Sequence, residues 1–315
     1  MAIMVRALEL YCGIGGFAAA AAGFNLRIVG AFDQSALALE TYRLNFPDHP
    51  ILQADLERIS SWELTSPAAD IWWLSPPCQP YCERGSRRDI DDPRSKSLLH
   101  IIGLIERIAD KHLPENLALE NVVGFTRSKA REILIKVLDY RGYTIRELMI
   151  CPTELGVPSR RPRYYLAASR SPLNRHEAPK QVALRPLAGY LDPRNNLNLR
   201  GELQLPADLV AKFGKGLRIL DPADPAACTT CFTSGYGKSI SNAGSYLACN
   251  GEVRHFAPEE IVQLLHFPSA FRFSENMPLR NRWRLAGNSL SVIAVGEVLR
   301  SFPRISVNFA TQTAP

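Results

Sequence analysis

A chain of 315 residues, 46% of them hydrophobic, can build one large domain plus a smaller one, and its sequence contains no apolar run long enough to span a bilayer. Seven cysteines, an odd number in a chain of this length, argue against a disulfide framework and for reduced thiols. A net charge of +6 suits a polyanionic partner, and "MAIMVRALEL" is too short and strand-like for a signal peptide, so a cytoplasmic protein without membrane association or obligate protein partner is expected.

In chain order, "VRALELY" predicts a strand, followed by the glycine turn "CGIGG" and the alanine-rich helix "FAAAAAG". "RIVGAFD" predicts a second strand and "SALALETYRLNF" a helix. "ADIWWL" and "LALEN" predict strands separated by a helix near "SKSLLHIIGLIERIAD". A helix near "KAREILIKVLDYRG" precedes the strands "TIRELMIC" and "RYYLAAS". This alternation predicts an α/β fold, a doubly wound and mostly parallel sheet whose ligands lie beyond the carboxyl ends of the strands. Cys78 and Glu120 fall at such ends. After about Arg170 the pattern gives way to proline, asparagine and charge, and regular helices return at "APEEIVQLLHF" and "NSLSVIAVGEVLRSF". The expected partition is therefore a discontinuous catalytic domain, residues 1–174 and 256–305, interrupted by a small target-recognition domain, residues 175–255.

Several short motifs carry chemistry. Gly13, Gly15 and Ala18 satisfy the G-x-G-x-x-G/A pattern, and Asp33 ends the next strand where a carboxylate accepts from ribose hydroxyls. That pattern suits NAD and S-adenosylmethionine alike, and a tight turn packing a helix on a strand also satisfies it. In "LSPPCQPYCERG" two prolines stiffen the chain before Cys78. "ENV" places Glu120 and Asn121 at a strand end, and "GVPSRRPRYYLAA" sets Arg161 and Arg163 on one face of a strand. In "LAGNSLSV", Asn288 is positioned to cap the last helix. Cys228, Cys231, Cys249 and His255 lack the compact spacing of a structural zinc site, so no metal is expected.

In this order, the glycine turn, PPCQ, ENV, the paired arginines and GNS resemble the motif series of the cytosine-5 methyltransferases, over about residues 5–170 and 250–301. "CFTSGYGKSISNAGSYL", "TELGVPSRRPRYYL" and "DDPRSKSLL" are similar to the branch of that family that methylates tRNA-Asp. The resemblance implies a Rossmann-like fold and S-adenosylmethionine as cofactor, with S-adenosylhomocysteine as product. It places the cofactor over Tyr11, Cys12, Gly13, Ile14, Gly15 and Gly16, with Asp33 on the ribose and Asp55 near the adenine amine. Pro76, Asn288 and Ser289 are further cofactor contacts on this reading.

The resemblance also makes Cys78 the nucleophile, its thiolate favoured by nearby arginines such as Arg161. Glu120, with a raised pKa, shares a proton with ring nitrogen 3, while Arg161 and Arg163 hold the pyrimidine carbonyl. Gln79, Arg84, Arg94, Asn121, Cys231, Phe232 and Thr233 are the implied substrate contacts, Asn121 by ordering its loop. The implied substrate is an anticodon-loop cytosine of tRNA-Asp or tRNA-Glu. Three positions depart from the family pattern: Ser159 for glutamine, Cys82 for serine or threonine, and Glu83 for arginine. The same catalytic residues serve a DNA cytosine methyltransferase, and a nucleic-acid-binding protein without catalysis is the reading from another class. An NAD oxidoreductase fits the glycine turn alone.

Overall fold

The short apolar runs become the strands of a seven-stranded sheet in the computed structural model, which describes residues 3–82, 88–175, 182–193 and 201–308. These are β1 (Val5–Leu10), β2 (Leu26–Asp33), β3 (Ile51–Gln53), β4 (Ile71–Leu74), β5 (Asn116–Val122), β6 (Thr144–Ile150) and β7 (Arg163–Ser169). Their order is β3-β2-β1-β4-β5-β7-β6, and β7 runs antiparallel to both of its neighbours. The central β4 is buried along its whole length, as expected for a strand covered on both faces. Strand direction alternates side chains, so Trp72 and Trp73 report the two coverings. Trp72 joins the core with Leu98, Ile101 and Ile105 of α4 (Lys96–Arg107) and Leu134 and Leu138 of α5 (Lys129–Tyr140). Trp73 instead stacks at 5.0 Å on Phe17 of α1 (Gly16–Ala21). The expected doubly wound, mostly parallel sheet is what forms.

Two elements of this sheet region were not predicted. β3 has three residues, too few to show a period, and it forms by pairing with the end of β2. The short α3 (Ser61–Thr65) is held by a capping box in which Ser60 and Glu63 satisfy each other's backbone N–H groups. By contrast α2 (Ala36–Asn45) was legible, and Ser35 caps it by accepting from the Ala38 N–H at 3.3 Å.

The chain divides into two compact units. The first comprises Met1–Ile150, Pro162–Glu177 and Val295–Pro315, and the second Cys151–Arg161 and Ala178–Ala294. This differs from the expected partition, because residues 151–161 and 256–294 belong with the second unit. The reason is packing that composition does not reveal. In the second unit Arg254 and Glu260, each 1% exposed, form a doubly hydrogen-bonded ion pair with both distances at 2.9 Å. Arg254 lies on β10 (Glu252–His255) and Glu260 on α7 (Pro258–Leu264), so the insert's sheet and the returning helix share one core. Trp283 of α8 (Leu279–Asn288) adds a hydrogen bond from its indole nitrogen to the Phe256 carbonyl at 2.8 Å. Among the described residues the unit also contains α6 (Ala207–Phe213), β8 (Arg218–Leu220) and β9 (Ser245–Cys249), with sheet order β10-β9-β8. The unit boundary falls inside the last helix, α9 (Val292–Leu299). Asn288 therefore does not cap that helix: it ends α8, with three residues between it and the start of α9 at position 292.

Candidate active site

The sheet order reverses between β1 and β4, and both strands deliver loops at their carboxyl ends there. After β1 the chain turns through Tyr11 (φ 59°), Gly13 (φ 54°) and Gly15 (φ 89°). Left-handed backbone at two glycines costs little, whereas Tyr11 is held there by the fold. Two different demands explain the glycines. A side chain on Gly15 would collide with Phe46, whose ring carbon lies 2.6 Å from the position of a Cβ, whereas nothing lies within 4 Å of one on Gly13. Gly13 thus leaves open space against bare backbone, the space an adenosine-containing ligand needs. Cys12 and Ile14 are buried beneath the turn, and Gly16 opens α1. Asp33 ends β2 beside it, accepting the Gly13 N–H at 2.9 Å and the Ser35 N–H at 2.8 Å. Burial raises the Asp33 pKa, against the pull of those backbone hydrogen bonds. Its oxygens keep further lone pairs for hydroxyl donors. Asp55, after β3, is exposed, with one oxygen on the Glu57 N–H at 3.0 Å. The residues present fit an adenosine cofactor.

A residue that sequence reasoning missed supports this turn. Glu9 on β1 is 1% exposed and accepts the Tyr42 hydroxyl at 3.0 Å and the N–H groups of Phe17 and Ala18 at the start of α1. Burial pushes its carboxyl from 4.5 up to about 8, with the charge of Asp33 adding to the rise and the hydrogen bonds opposing it. The folded state therefore binds this proton more tightly than the unfolded chain does. The stability it contributes is full below pH 4.5 and is lost as pH rises through about 8. Glu9→Gln removes that dependence. Thermal melts of both proteins should show the wild type losing ground to the variant between pH 5 and pH 8, and a gap constant across that range would contradict the assignment.

After β4 comes the segment holding Cys78. Pro76 is buried, and its carbonyl accepts from Asn121 Nδ2 at 3.2 Å, while Asn121 Oδ1 accepts the Val122 N–H at 2.9 Å. Asn121 thus orders the ends of β4 and β5 together. Cys78 precedes a single 3-10 turn, Gln79–Tyr81, closed by the Tyr81 N–H donating to the Cys78 carbonyl at 3.0 Å. Tyr81 is buried edge-on against Phe125 at 4.8 Å, and Gly124 lies so close beneath that a Cβ there would overlap the Tyr81 carbonyl oxygen. Gly124, unremarked in the sequence, is what lets the turn seat. Gln79 Oε1 is buried with no hydrogen-bond partner among the described residues, an acceptor left for a ligand donor.

Glu120 and Arg163 meet across β5 and β7. Glu120 pairs in register with Tyr165 and Val122 with Arg163, which makes Glu120 and Arg163 diagonal neighbours on one face. Arg163 Nε lies 3.3 Å from Glu120 Oε1, both side chains mostly buried. The Cys78 thiol is pushed well above its ordinary value, first by its hydrogen bond to Cys82, then by burial and the Cys82 and Glu120 charges, with Arg163 opposing. Arg163 is the arginine whose charge most favours the Cys78 thiolate.

Arg161 and Arg163 do not share a strand face. Arg163 opens β7 in the first unit, whereas Arg161 precedes it in the second, 5% exposed and bonded to Cys231, Phe232, Gly287 and Ser289. Phe232, expected against substrate, is buried edge-on between Tyr236 and Phe256, each at 5.0 Å, and acts by packing. Thr233 is exposed, and Cys231 is half-buried. Asn288 is exposed and Ser289 buried, both in the second unit. Arg94 forms a bidentate pair with Asp92, at 2.8 and 2.7 Å, and remains half exposed. Arg84 lies outside the described residues, as does Glu83. Among the described residues no helix is long and apolar enough to cross a membrane.

Comparison with known proteins gives this geometry a context. The family model for C-5 cytosine-specific DNA methylase matches residues 5–186. The chain is 30% identical to a human protein named tRNA (cytosine(38)-C(5))-methyltransferase, over 94% of this chain and 98% of that one. Among solved structures, a methyltransferase of Entamoeba histolytica superposes with a TM-score of 0.84 at 27% identity, covering 95% of this chain and 98% of that one. The Dnmt2 methyltransferase of S. pombe gives a TM-score of 0.81 at 29% identity, covering 94% and 97%.

Proposed function

The chain belongs to the C-5 cytosine-specific DNA methylase family and is a cytosine-5 methyltransferase, and from that premise we propose that its substrate is a cytosine in the anticodon loop of a tRNA. The observation that supports the choice of tRNA is the 30% identity to the human tRNA (cytosine(38)-C(5))-methyltransferase, against 27% and 23% to two matched DNA methyltransferases. By the name of that relative the substrate nucleotide corresponds to cytosine 38, and the resemblance of "CFTSGYGKSISNAGSYL" to the branch that methylates tRNA-Asp supports tRNA-Asp or tRNA-Glu. Anticodon loops are single-stranded and offer unstacked bases, so little energy goes into extracting the target.

Carbon 5 of cytosine is a poor nucleophile, and Cys78 supplies what it lacks. Its thiolate adds to carbon 6, turning the ring into an enamine whose carbon 5 can attack an electrophilic methyl group. The turn at Gly13 and the Asp33 carboxylate would hold S-adenosylmethionine, which when bound would supply that methyl as a sulfonium. Glu120 shares a proton with ring nitrogen 3 as negative charge builds there, and the same carboxyl reads the exocyclic amine. Arg163, fixed against Glu120 at 3.3 Å, donates to the pyrimidine carbonyl and steadies the adduct. The proton on Cys78 leaves to solvent before the addition. After methyl transfer the carbon 5 proton is also lost to solvent, and its electron pair reforms the double bond between carbon 5 and carbon 6. The Cys78 sulfur is thereby expelled from carbon 6 as a thiolate, which restores the aromatic ring and frees the enzyme.

Bisulfite sequencing of cellular tRNA and DNA, from cells with and without the protein, tests the choice. Protection of one anticodon-loop cytosine, dependent on the protein, is expected. Protection confined to DNA would move the enzyme to the DNA-modifying side of its family.

A further inference from the structure

We propose that Arg161 is a positioning residue, fastening the Cys231-Phe232-Thr233 segment to the turn at Gly287–Ser289, and that it does not touch the reacting cytosine. The two terminal nitrogens of a guanidinium carry four hydrogens, and here four acceptors use them. Nη1 donates to Cys231 Sγ at 3.1 Å and to the Phe232 carbonyl at 2.9 Å. Nη2 donates to the carbonyls of Gly287 at 3.1 Å and Ser289 at 2.6 Å. The remaining nitrogen, Nε, is buried and has no partner among the described residues. A pyrimidine carbonyl could be held only by giving up one of these bonds. Lysine, a single point donor, cannot span two segments in this way.

Backbone contacts independent of Arg161 bring the same segments together. The Arg160 N–H donates to the Thr229 carbonyl at 2.8 Å and the Thr229 N–H to the Pro158 carbonyl at 2.9 Å, so residues 158–161 run beside residues 229–232. At Gly287 a Cβ would overlap the backbone of Thr233 and lie 2.8 Å from the Ser234 nitrogen, so only glycine permits the approach. Arg161 and Gly287 are thus two halves of one clasp. Its purpose is to hold exposed Thr233 and half-buried Cys231 in a fixed place, which rests on the reading that this segment meets the RNA.

The test uses the full chain with Arg161→Lys, Gly287→Ala and the double variant, measuring binding of transcribed tRNA without turnover alongside kcat and KM. A lost charged hydrogen bond corresponds to about ten- to hundredfold in affinity. Each single variant should weaken tRNA binding and raise KM by about that factor, with kcat within a few-fold of wild type. The double variant should be little worse than either single one, because both break the same clasp. Gly287→Ala keeps the guanidinium, so it decides the matter even if Arg161→Lys fails to fold. A fall in kcat at unchanged KM for Arg161→Lys, with Gly287→Ala behaving as wild type, would overturn the proposal and return Arg161 to the reacting base. If the wild type itself binds and labels duplex DNA but not tRNA, the tRNA reading fails instead, and the same split is decided on DNA.

Discussion

Cys78→Ala abolishes methyl transfer while leaving the affinity for S-adenosylmethionine at the wild-type level. The two halves of this expectation have separate physical grounds. Alanine cannot add to carbon 6, so carbon 5 stays an unreactive aromatic position whatever else is bound. In the proposed site the cofactor is held by the turn at residues 11–16 and by Asp33, whose hydrogen bonds to Gly13 and Ser35 do not involve Cys78. Cys82 is the necessary comparison, because its hydrogen bond is the largest influence on the Cys78 thiol. Radiometric turnover and calorimetry on Cys78→Ala and Cys82→Ala separate the two sulfurs. Full activity in Cys78→Ala, with loss in Cys82→Ala, would reverse their roles.

Glu120→Gln should retain tRNA binding and lose about a hundred- to ten-thousand-fold in kcat, the range of a general acid–base step. The amide is nearly isosteric and still accepts from Arg163, so the β5–β7 diagonal pair survives. What it lacks is a proton to share with ring nitrogen 3. Single-turnover rates on saturating tRNA read this without interference from binding. A variant within a few-fold of wild type would mean that another group protonates the ring.

Much of the architecture was legible because its elements announce themselves locally. β4 is a run of buried apolar residues and α4 repeats its apolar positions at three and four, so period alone identifies them. β3 was not legible, since three residues forming an edge by pairing carry no pattern of their own. The partition failed for a similar reason. Arg254 and Glu260 carry no local pattern that marks them as partners, and they form a buried pair joining the insert to the returning helix. At the site, Cys78, Glu120 and Gly13 stand out through chemistry or spacing. Arg161 and Phe232 stood out equally, yet their side chains are consumed by the second unit's own packing. Gly124 and Glu9 gave no signal, because their importance lies in contacts with Tyr81 and Tyr42 that are distant in sequence.

The most direct measurement is transfer of tritiated methyl from S-adenosylmethionine to purified tRNA and to duplex DNA under identical conditions. The account predicts label on tRNA, confined to one anticodon-loop cytosine and absent with Cys78→Ala, and duplex DNA at background. Labelled duplex DNA with tRNA at background would contradict it.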